Sequence, residues 1–354
     1  MVLRPPLRDT FAMNSSNLPI LERLLRDCVG PARAQALLGQ LFVHCALLAA
    51  RGEKVPRAVL AQALNMVLFA GLLERVPAAA QRVSDVVRER GRVRFDHGAL
   101  RTVVFSQSLP LPSGAHAFAR ILEPLGFHVS GTYPLPRIHM LGRSFTHEDY
   151  PEDIAQFFVS EMTLTGFSPD FQSAAERVVG TSRDPLSREA ARSLTRIGEE
   201  GALSYAEAAS LLPQLLPCFA RQHSAPRLAD YNTLLRESAE MAWIATEGNT
   251  FNHVTERVDD IDTVAAGQKR LGRPMKEAIE TSRSGRVRQT AYFAATAERD
   301  FIAEEGRPMT QPVPGSFYEF IERAHVPDGH GNSPLDLSFD SSNAQGIFKM
   351  TASA

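Results

Sequence analysis

The sequence has little cysteine. Its 354 residues include three, Cys28, Cys45 and Cys218, an odd number without a Cys-x-x-Cys pair. This pattern argues against a disulfide framework and against a zinc site built from thiolates. We predict instead that the three side chains are small buried hydrophobes.

Long apolar runs are also missing. The longest uncharged segments, residues 34–50 and 58–73, are shorter than the roughly 20 apolar residues that a membrane-spanning helix needs. Both contain polar side chains, and we predict that they form buried core helices. No apolar stretch directly follows Arg4 and Arg8. We therefore expect no secretory signal and no membrane association, and we expect a cytoplasmic location.

Charge of neither sign dominates the chain. It has 38 Lys and Arg against 40 Asp and Glu, a formal net charge of -2. There is no global basic field that would attract nucleic acid or an anionic membrane, so we expect neither partner. With 44% hydrophobic and 22% charged residues, the composition is that of a folded globular protein rather than a disordered chain.

Hydrophobic periodicity divides the chain into four segments. We predict a helical N-terminal segment (1–90), a first strand-rich half of the core (91–150), a helical insertion (151–242), and a second strand-rich half with a C-terminal tail (243–354). Together they predict an α+β protein, in which a shared sheet carries helical additions within one composite catalytic domain.

Two of these segments give more detailed expectations. In the insertion, Ile154, Phe157, Phe158 and Met162 are interpreted as the apolar stripe of a helix. In the second half, β-branched and aromatic residues predict strands at 251–258, 286–293 and 316–323.

Two histidines and one glutamate form the candidate metal site. His97 and His253 lie on or beside predicted strands, where a buried imidazole needs a metal ion or a carboxylate as its partner. Glu319 shares a strand face with Phe317 and Ile321, so its carboxylate is directed inward. Two histidines and a carboxylate form the facial triad of non-haem Fe(II) oxygenases. With ten histidines in the chain, spacing alone does not single out this triple.

Other polar residues lie near these three in the sequence. Arg101 follows His97 by four residues and is expected to place a cation near the candidate metal site. Gln289 and Arg288 lie on an intermediate strand; Arg288 is interpreted as pointing outward, and the direction of Gln289 stays open. Asp96 and Asn252 precede the two histidines. Because neighbours on a strand point to opposite faces, we expect neither to support a ligand ring.

Four segments, taken in order, resemble one known family. They are residues 96–102 (DHGALRT), 157–161 (FFVSE), 251–257 (FNHVTER) and 317–323 (FYEFIER). The series resembles the 2-oxoadipate dioxygenase/decarboxylase family, also called 2-hydroxyglutarate synthase, within the vicinal-oxygen-chelate superfamily. The resemblance extends over nearly the whole chain, from about Pro19 to Thr351.

The resemblance implies a fold and a site. The fold is α+β, with a vicinal-oxygen-chelate-like central sheet that encloses a metal site. The cofactor is Fe(II), bound by His97, His253 and Glu319, and Arg101 acts in catalysis by holding a substrate carboxylate. A C-terminal stretch completes the pocket. The predicted substrate contacts are His97, Arg101, His253, Gln289, Gln345 and Gly346.

The implied activity is the oxidative decarboxylation and hydroxylation of a 2-oxo dicarboxylic acid. The expected reaction converts 2-oxoadipate and O2 to 2-hydroxyglutarate and CO2, as in lysine catabolism. The expected partners are therefore a small 2-oxo acid and O2, and the sequence gives no prediction of the oligomeric state. Two alternatives stay open. One is a redox-neutral lyase or isomerase that uses Zn(II), Ni(II) or Mn(II), and the other is a non-catalytic binding or scaffold protein.

Overall fold

The computed structural model describes residues 18–106, 108–327 and 331–340. The strands are β1 (Lys54–Pro56), β2 (Arg94–Val104), β3 (Phe127–Leu135), β4 (Met140–His147), β5 (Gln156–Thr163), β6 (Ala202–Ser204), β7 (Phe251–Arg257), β8 (Glu280–Thr281), β9 (Val287–Ala291), β10 (Thr296–Ile302), β11 (Pro308–Pro314) and β12 (Phe317–Arg323). The α-helices are α1 (Ile20–Val29), α2 (Pro31–Gln40), α3 (Cys45–Ala49), α4 (Arg57–Arg75), α5 (Pro77–Arg88), α6 (His116–Leu122), α7 (Pro169–Val179), α8 (Arg188–Glu200), α9 (Tyr205–Leu215), α10 (Leu228–Glu237), α11 (Ala239–Glu247) and α12 (Ile261–Arg270).

An eight-stranded mixed sheet forms the centre of the molecule. Its strand order is β3-β4-β5-β2-β7-β12-β9-β8, and it curls into a half-barrel. β2 runs parallel to β5, and β7 runs parallel to β12, whereas the central pair β2 and β7 is antiparallel. Each half of the sheet therefore contributes one parallel pair, and the two halves meet at β2 and β7.

Helices of the N-terminal segment cover one face of the sheet. α4 is apolar on nearly all sides and belongs to the largest hydrophobic cluster, with Leu60, Leu64 and Phe69 completely buried. By length and composition α4 could cross a membrane, but 72% of that stretch is buried within the described protein. A helix that is hydrophobic all round is typical of a protein core. The prediction of a core helix at residues 58–73 is confirmed.

The other uncharged segment differs from its prediction. Residues 34–50 do not form one buried helix; they contain the end of α2, an irregular connection and the short α3. Leu37 and Leu47 are buried, whereas Phe42 is 37% exposed. The prediction that all three thiols are buried is also wrong. Cys218 is buried and Cys28 half-buried, but Cys45 is exposed because it begins the short α3 near the surface.

The strands predicted in the second half are confirmed by β7, β9 and β12. The helix predicted from Ile154, Phe157, Phe158 and Met162 is wrong, because residues 156–163 form strand β5. This strand is covered on both faces, so its apolar residues form a nearly continuous run without the alternation that indicates a strand. The helical part of this region begins at α7. The division of the chain into four segments stays a prediction.

Candidate metal centre and substrate pocket

Three adjacent strands bring the predicted metal ligands together. His97 lies on β2, His253 on β7 and Glu319 on β12, and all three side chains are buried. The Nε2 atom of His253 lies 3.1 Å from Oε2 of Glu319, and Nε2 of His97 lies 3.9 Å from the same oxygen. One ligand atom from each residue lies within 4.8 Å of the other two. The arrangement is close enough for a single ion.

Strand register produces this convergence. His97 pairs with Thr255 on β7, and Thr255 pairs with Glu319 on β12. His253 precedes Thr255 by two residues and therefore lies on the same side of β7. The three ligands thus project from one face of the sheet, around the Thr255 hydroxyl.

Each histidine ring is fixed by the residue that precedes it. His97 Nδ1 donates to Asp96 Oδ1 at 2.9 Å, and His253 Nδ1 donates to Asn252 Oδ1 at 3.1 Å. The expectation that Asp96 and Asn252 do not support the rings is wrong. The register of β2 against β7 shifts at two points beside these residues, so neighbouring side chains do not alternate as in a regular strand. His97 Nε2 lies 3.1 Å from the Thr255 hydroxyl and His253 Nε2 lies 3.1 Å from Glu319, so both Nε2 atoms face the space between the three ligands.

The protonation of the site favours a cation. Burial lowers the pKa of His253, although Glu319 opposes this, and the ring is neutral near neutral pH. Burial also opposes ionisation of Glu319, but the close approach of the His253 ring and the nearby His97 lower the pKa of this carboxyl below its ordinary value. The site therefore places a neutral imidazole and a carboxylate side by side.

One carboxylate oxygen tests whether the residues fit a metal. Oε2 of Glu319 accepts a hydrogen bond from Thr255 Oγ1 at 2.9 Å. Oε1 is buried and has no hydrogen-bond partner among the described residues. Burying a carboxylate oxygen without a hydrogen-bond partner is unfavourable unless a cation coordinates the group. The donor set, two imidazoles and one carboxylate, fits a divalent transition metal with open coordination positions.

A cavity opens beside the three ligands. Its lining residues are His97, Ala99, Leu100, Arg101, Tyr133, Phe158, Ser160, Asn252, His253, Gln289, Glu319, Phe339 and Asp340. The cavity therefore brings together all the predicted site residues within the described part of the chain. Gln345 and Gly346 lie outside the described residues. Arg288 points away from the cavity, as interpreted, and forms two hydrogen bonds with the carboxylate of Asp262.

Arg101 places a buried cation in the cavity wall. Its side chain is 1% exposed, and the guanidinium lies 5.2 Å from the ring of Trp243. Burial lowers the pKa of Arg101 to about 10, with Glu240 opposing the change, so the group is charged at neutral pH. Trp243 Nε1 donates to the carbonyl of Gly315 at 2.9 Å, which fixes the indole. The arrangement can hold an anionic group.

Sequence reasoning missed two pocket residues. Asn252 lines the cavity, and its Nδ2 is buried without a hydrogen-bond partner among the described residues. It therefore offers a donor to a ligand while Oδ1 serves His253. Phe339 lies on the closing segment (residues 331–340), and its ring centroid is 4.8 Å from that of His97 and 4.7 Å from that of Phe158. The position of Asn252 beside His253 was an available signal, but no local pattern indicates the contact of Phe339.

A family comparison agrees with this geometry. The model of the 2-oxoadipate dioxygenase/decarboxylase family matches residues 60–349. The chain belongs to this family. The match covers all three candidate metal ligands and Arg101, and it confirms the resemblance found in the sequence. The α+β fold with a vicinal-oxygen-chelate-like sheet around the site is confirmed as well.

Solved structures of 2-oxoadipate dioxygenase/decarboxylase relatives share the fold. A glyoxalase superfamily protein from Ralstonia eutropha JMP134 is 51% identical, with a TM-score of 0.86, over 91% of this chain and 98% of that chain. A hydroxyglutarate synthase from Oryza sativa, in complex with 2-oxoadipate, is 19% identical, with a TM-score of 0.61, over 86% and 98%. The corresponding complex from Pseudomonas putida is 18% identical, with a TM-score of 0.58, over 85% and 74%. A search of the curated proteins found no match.

Proposed function

We propose that this protein is an Fe(II)-dependent enzyme that converts 2-oxoadipate and O2 to 2-hydroxyglutarate and CO2. The observation that carries the proposal is the buried set of His97, His253 and Glu319 beside a cavity that contains Arg101. Membership of the family supports the reaction class. The rice and Pseudomonas putida hydroxyglutarate synthases, which were solved with 2-oxoadipate, support the substrate.

The protein's part begins with the ligand side chains. His97 and His253 would hold Fe(II) through Nε2, and Glu319 would hold it through a carboxylate oxygen. When bound, Fe(II) would supply chelation of the 2-oxo acid and the redox chemistry with dioxygen. Asp96 and Asn252 keep both rings in the tautomer that presents Nε2.

The cavity wall would orient the substrate. A planar guanidinium can bind a carboxylate through two parallel hydrogen bonds, and Arg101 presents one in a buried position. Asn252 Nδ2 can donate to a second oxygen of the ligand, because it has no partner among the described residues. The rings of Phe158 and Phe339 form an apolar wall that limits water near the reacting carbon. Such a pocket suits a short-chain dicarboxylic 2-oxo acid.

Oxygen uptake tests the proposal. The iron-loaded protein is offered 2-oxoadipate, 2-oxoglutarate and 4-hydroxyphenylpyruvate in separate reactions. We expect uptake with 2-oxoadipate, matched by equal amounts of CO2 and 2-hydroxyglutarate, and we expect loss of this activity in His253→Ala. The exposed His128 provides the matched control, since His128→Ala leaves the metal site intact. A protein that binds iron but takes up no oxygen with any of the three acids contradicts the proposal.

One observation favours retaining a second candidate function, a redox-neutral lyase or isomerase. The relative that is 51% identical is named for the glyoxalase superfamily, and a redox-neutral lyase or isomerase could use the same three ligands with another divalent metal. Substrate turnover without oxygen consumption would favour this candidate. A non-catalytic scaffold has no need to bury two histidines, a glutamate and Arg101 around one cavity. Lysine catabolism and a cytoplasmic location stay predictions.

A further inference from the structure

Arg323 does not line the cavity, but it contacts both Asp96, beside His97, and the closing segment. It lies on β12, four residues after Glu319, and its side chain is 0% exposed. Nε and Nη2 donate to the carboxylate of Asp96 at 2.9–3.1 Å. Asp96 in turn accepts the hydrogen bond from His97 Nδ1. One edge of this guanidinium group is therefore connected to a candidate metal ligand, His97, through a single residue, Asp96.

The remaining nitrogen of Arg323 holds the closing segment. Nη1 donates to the carbonyl oxygens of Asp336 and Ser338, each at 2.8 Å. The guanidinium carbon also lies 5.0 Å from the ring centroid of Phe339, and this ring packs edge-on against His97. Tyr133 Oη accepts a hydrogen bond from the Phe339 N–H at 3.2 Å. The segment that forms part of the cavity wall is therefore anchored by the arginine that fixes Asp96.

We propose that Arg323 is a positioning residue that couples the closing segment to the orientation of His97. The proposal rests on the metal site of the proposed function. The argument is geometric: one rigid guanidinium binds the Asp96 carboxylate on one edge and two segment carbonyls on the other. A lysine ammonium is a point charge and cannot reproduce this fork. Displacing the closing segment removes two acceptors from Arg323 and so alters the support of Asp96.

The coupling has a reciprocal consequence. If metal binding at His97 stabilises the closed position of the segment, closure must favour metal binding by the same factor. In the parent protein, Co(II) should therefore slow amide hydrogen exchange in residues 335–339. Without Arg323, Co(II) binding should no longer slow amide exchange in the closing segment. A purely structural role for Arg323 would lower the melting temperature and leave this coupling unchanged.

The experiment compares the full-length parent with two variants and a control. Arg323→Lys retains the charge but not the fork. The double variant Asp96→Asn/Arg323→Met removes both charges, so no buried ion is left alone if the first variant does not fold. The control is Arg286→Gln, since Arg286 reaches the closing segment only at the surface, 3.9 Å from Asp336, with a side chain that is 53% exposed. Co(II) affinity and amide exchange are measured on each protein.

We expect the Co(II) dissociation constant of Arg323→Lys to rise about tenfold or more, the range typical of residues that support a metal ligand. Exchange in residues 335–339 should become faster, and Co(II) should no longer slow it. The double variant should behave in the same way, and Arg286→Gln should match the parent. The proposal is overturned if folded Arg323→Lys, or the double variant in its place, retains the parent's Co(II) affinity or its Co(II)-dependent protection.

These readouts separate the inference from the proposed function. A parent protein that binds Co(II) and shows the coupling, but takes up no oxygen with any 2-oxo acid, contradicts only the proposed reaction. A parent protein that binds no Co(II) at the site contradicts both.

Discussion

At the scale of single residues, Arg101 is among the largest completely buried side chains in the described part of the chain. Burying a guanidinium is unfavourable unless an anion or a polarisable ring compensates. Glu240 lies close enough to favour the charged form, and the Trp243 ring contributes a cation–π contact. The cavity therefore contains a charge that a bound carboxylate would stabilise further.

The first prediction at this scale concerns Arg101→Lys. Lysine retains the charge but cannot form two parallel hydrogen bonds with a carboxylate. We expect kcat/KM for 2-oxoadipate to fall by about 30-fold or more, which corresponds to roughly 2 kcal/mol or more of lost binding. Steady-state oxygen uptake measures this loss, and metal content should match that of the parent.

Arg299→Lys provides the matched control for Arg101→Lys. Arg299 forms two hydrogen bonds with Glu247, at 2.6 and 2.8 Å, away from the residues that line the cavity. Its replacement should leave kcat/KM within about twofold of the parent, because neither Arg299 nor Glu247 lines the cavity. Equal losses in the two variants would mean that Arg101 does not act on the substrate.

At the scale of elements, the central strand β2 packs very closely against the ring of Phe251. A methyl group added at Gly98 would lie 2.2 Å from the nearest carbon of that ring. Phe251 is buried between the rings of Phe95 and Phe157, at centroid distances of 6.2 and 5.8 Å, and cannot swing aside. This close approach explains a glycine in the middle of a buried strand.

Gly98→Ala should therefore destabilise the protein. We expect the free energy of unfolding to fall by about 1–3 kcal/mol, the usual cost of an added carbon in a packed core. Urea unfolding measures the change. In the control Gly39→Ala, on α2, the added carbon has no described atom within 4 Å, and the substitution should be neutral or stabilising, as alanine favours helices. Similar stabilities for the two variants would contradict this account of β2.

The elements also show where sequence reasoning succeeds. β7 and β12 were predictable because β-branched and aromatic residues mark them, and Glu319 alternates with Phe317 and Ile321. β5 was not, because a strand buried on both faces carries no alternation. The support of His97 by Asp96 depends on register shifts between β2 and β7, which no local pattern records.

Long-range contacts set the limit of prediction for the pocket. Phe339 reaches His97, and Arg323 reaches Asp96, across more than two hundred residues of sequence. Their side chains have no periodic pattern that indicates these partners. The three ligands themselves were found because the resemblance to the family singled out one triple of two histidines and a glutamate, which spacing alone did not.

At the scale of the whole molecule, His147 links strand β4 to the loops that precede β3 and follow β4. It ends β4 and is completely buried. Nε2 donates to the carbonyl of Leu125 at 3.1 Å, and Nδ1 accepts from the Asp149 N–H at 3.1 Å. Both ring nitrogens are therefore used by a neutral imidazole, and protonation of Nδ1 would remove the second bond. Burial lowers the pKa of His147 to about 4, from an ordinary value of 6.5.

This shift predicts how stability depends on pH. In the unfolded chain His147 binds a proton below about pH 6.5, whereas in the folded protein it stays neutral down to about pH 4. The contribution to the free energy of unfolding is therefore constant above pH 6.5 and decreases as the pH falls from 6.5 to 4. The decrease is about 3 kcal/mol in total. Urea unfolding at a series of pH values measures it.

A conservative variant isolates His147 from the other titrating groups. The amide of His147→Gln can donate to Leu125 and accept from Asp149 but does not titrate, so the variant should lose less stability between pH 6.5 and 4 than the parent. His128→Gln, at an exposed position on β3, should follow the parent curve. If the parent and His147→Gln lose stability equally over this interval, the buried neutral imidazole is not the cause of the pH dependence.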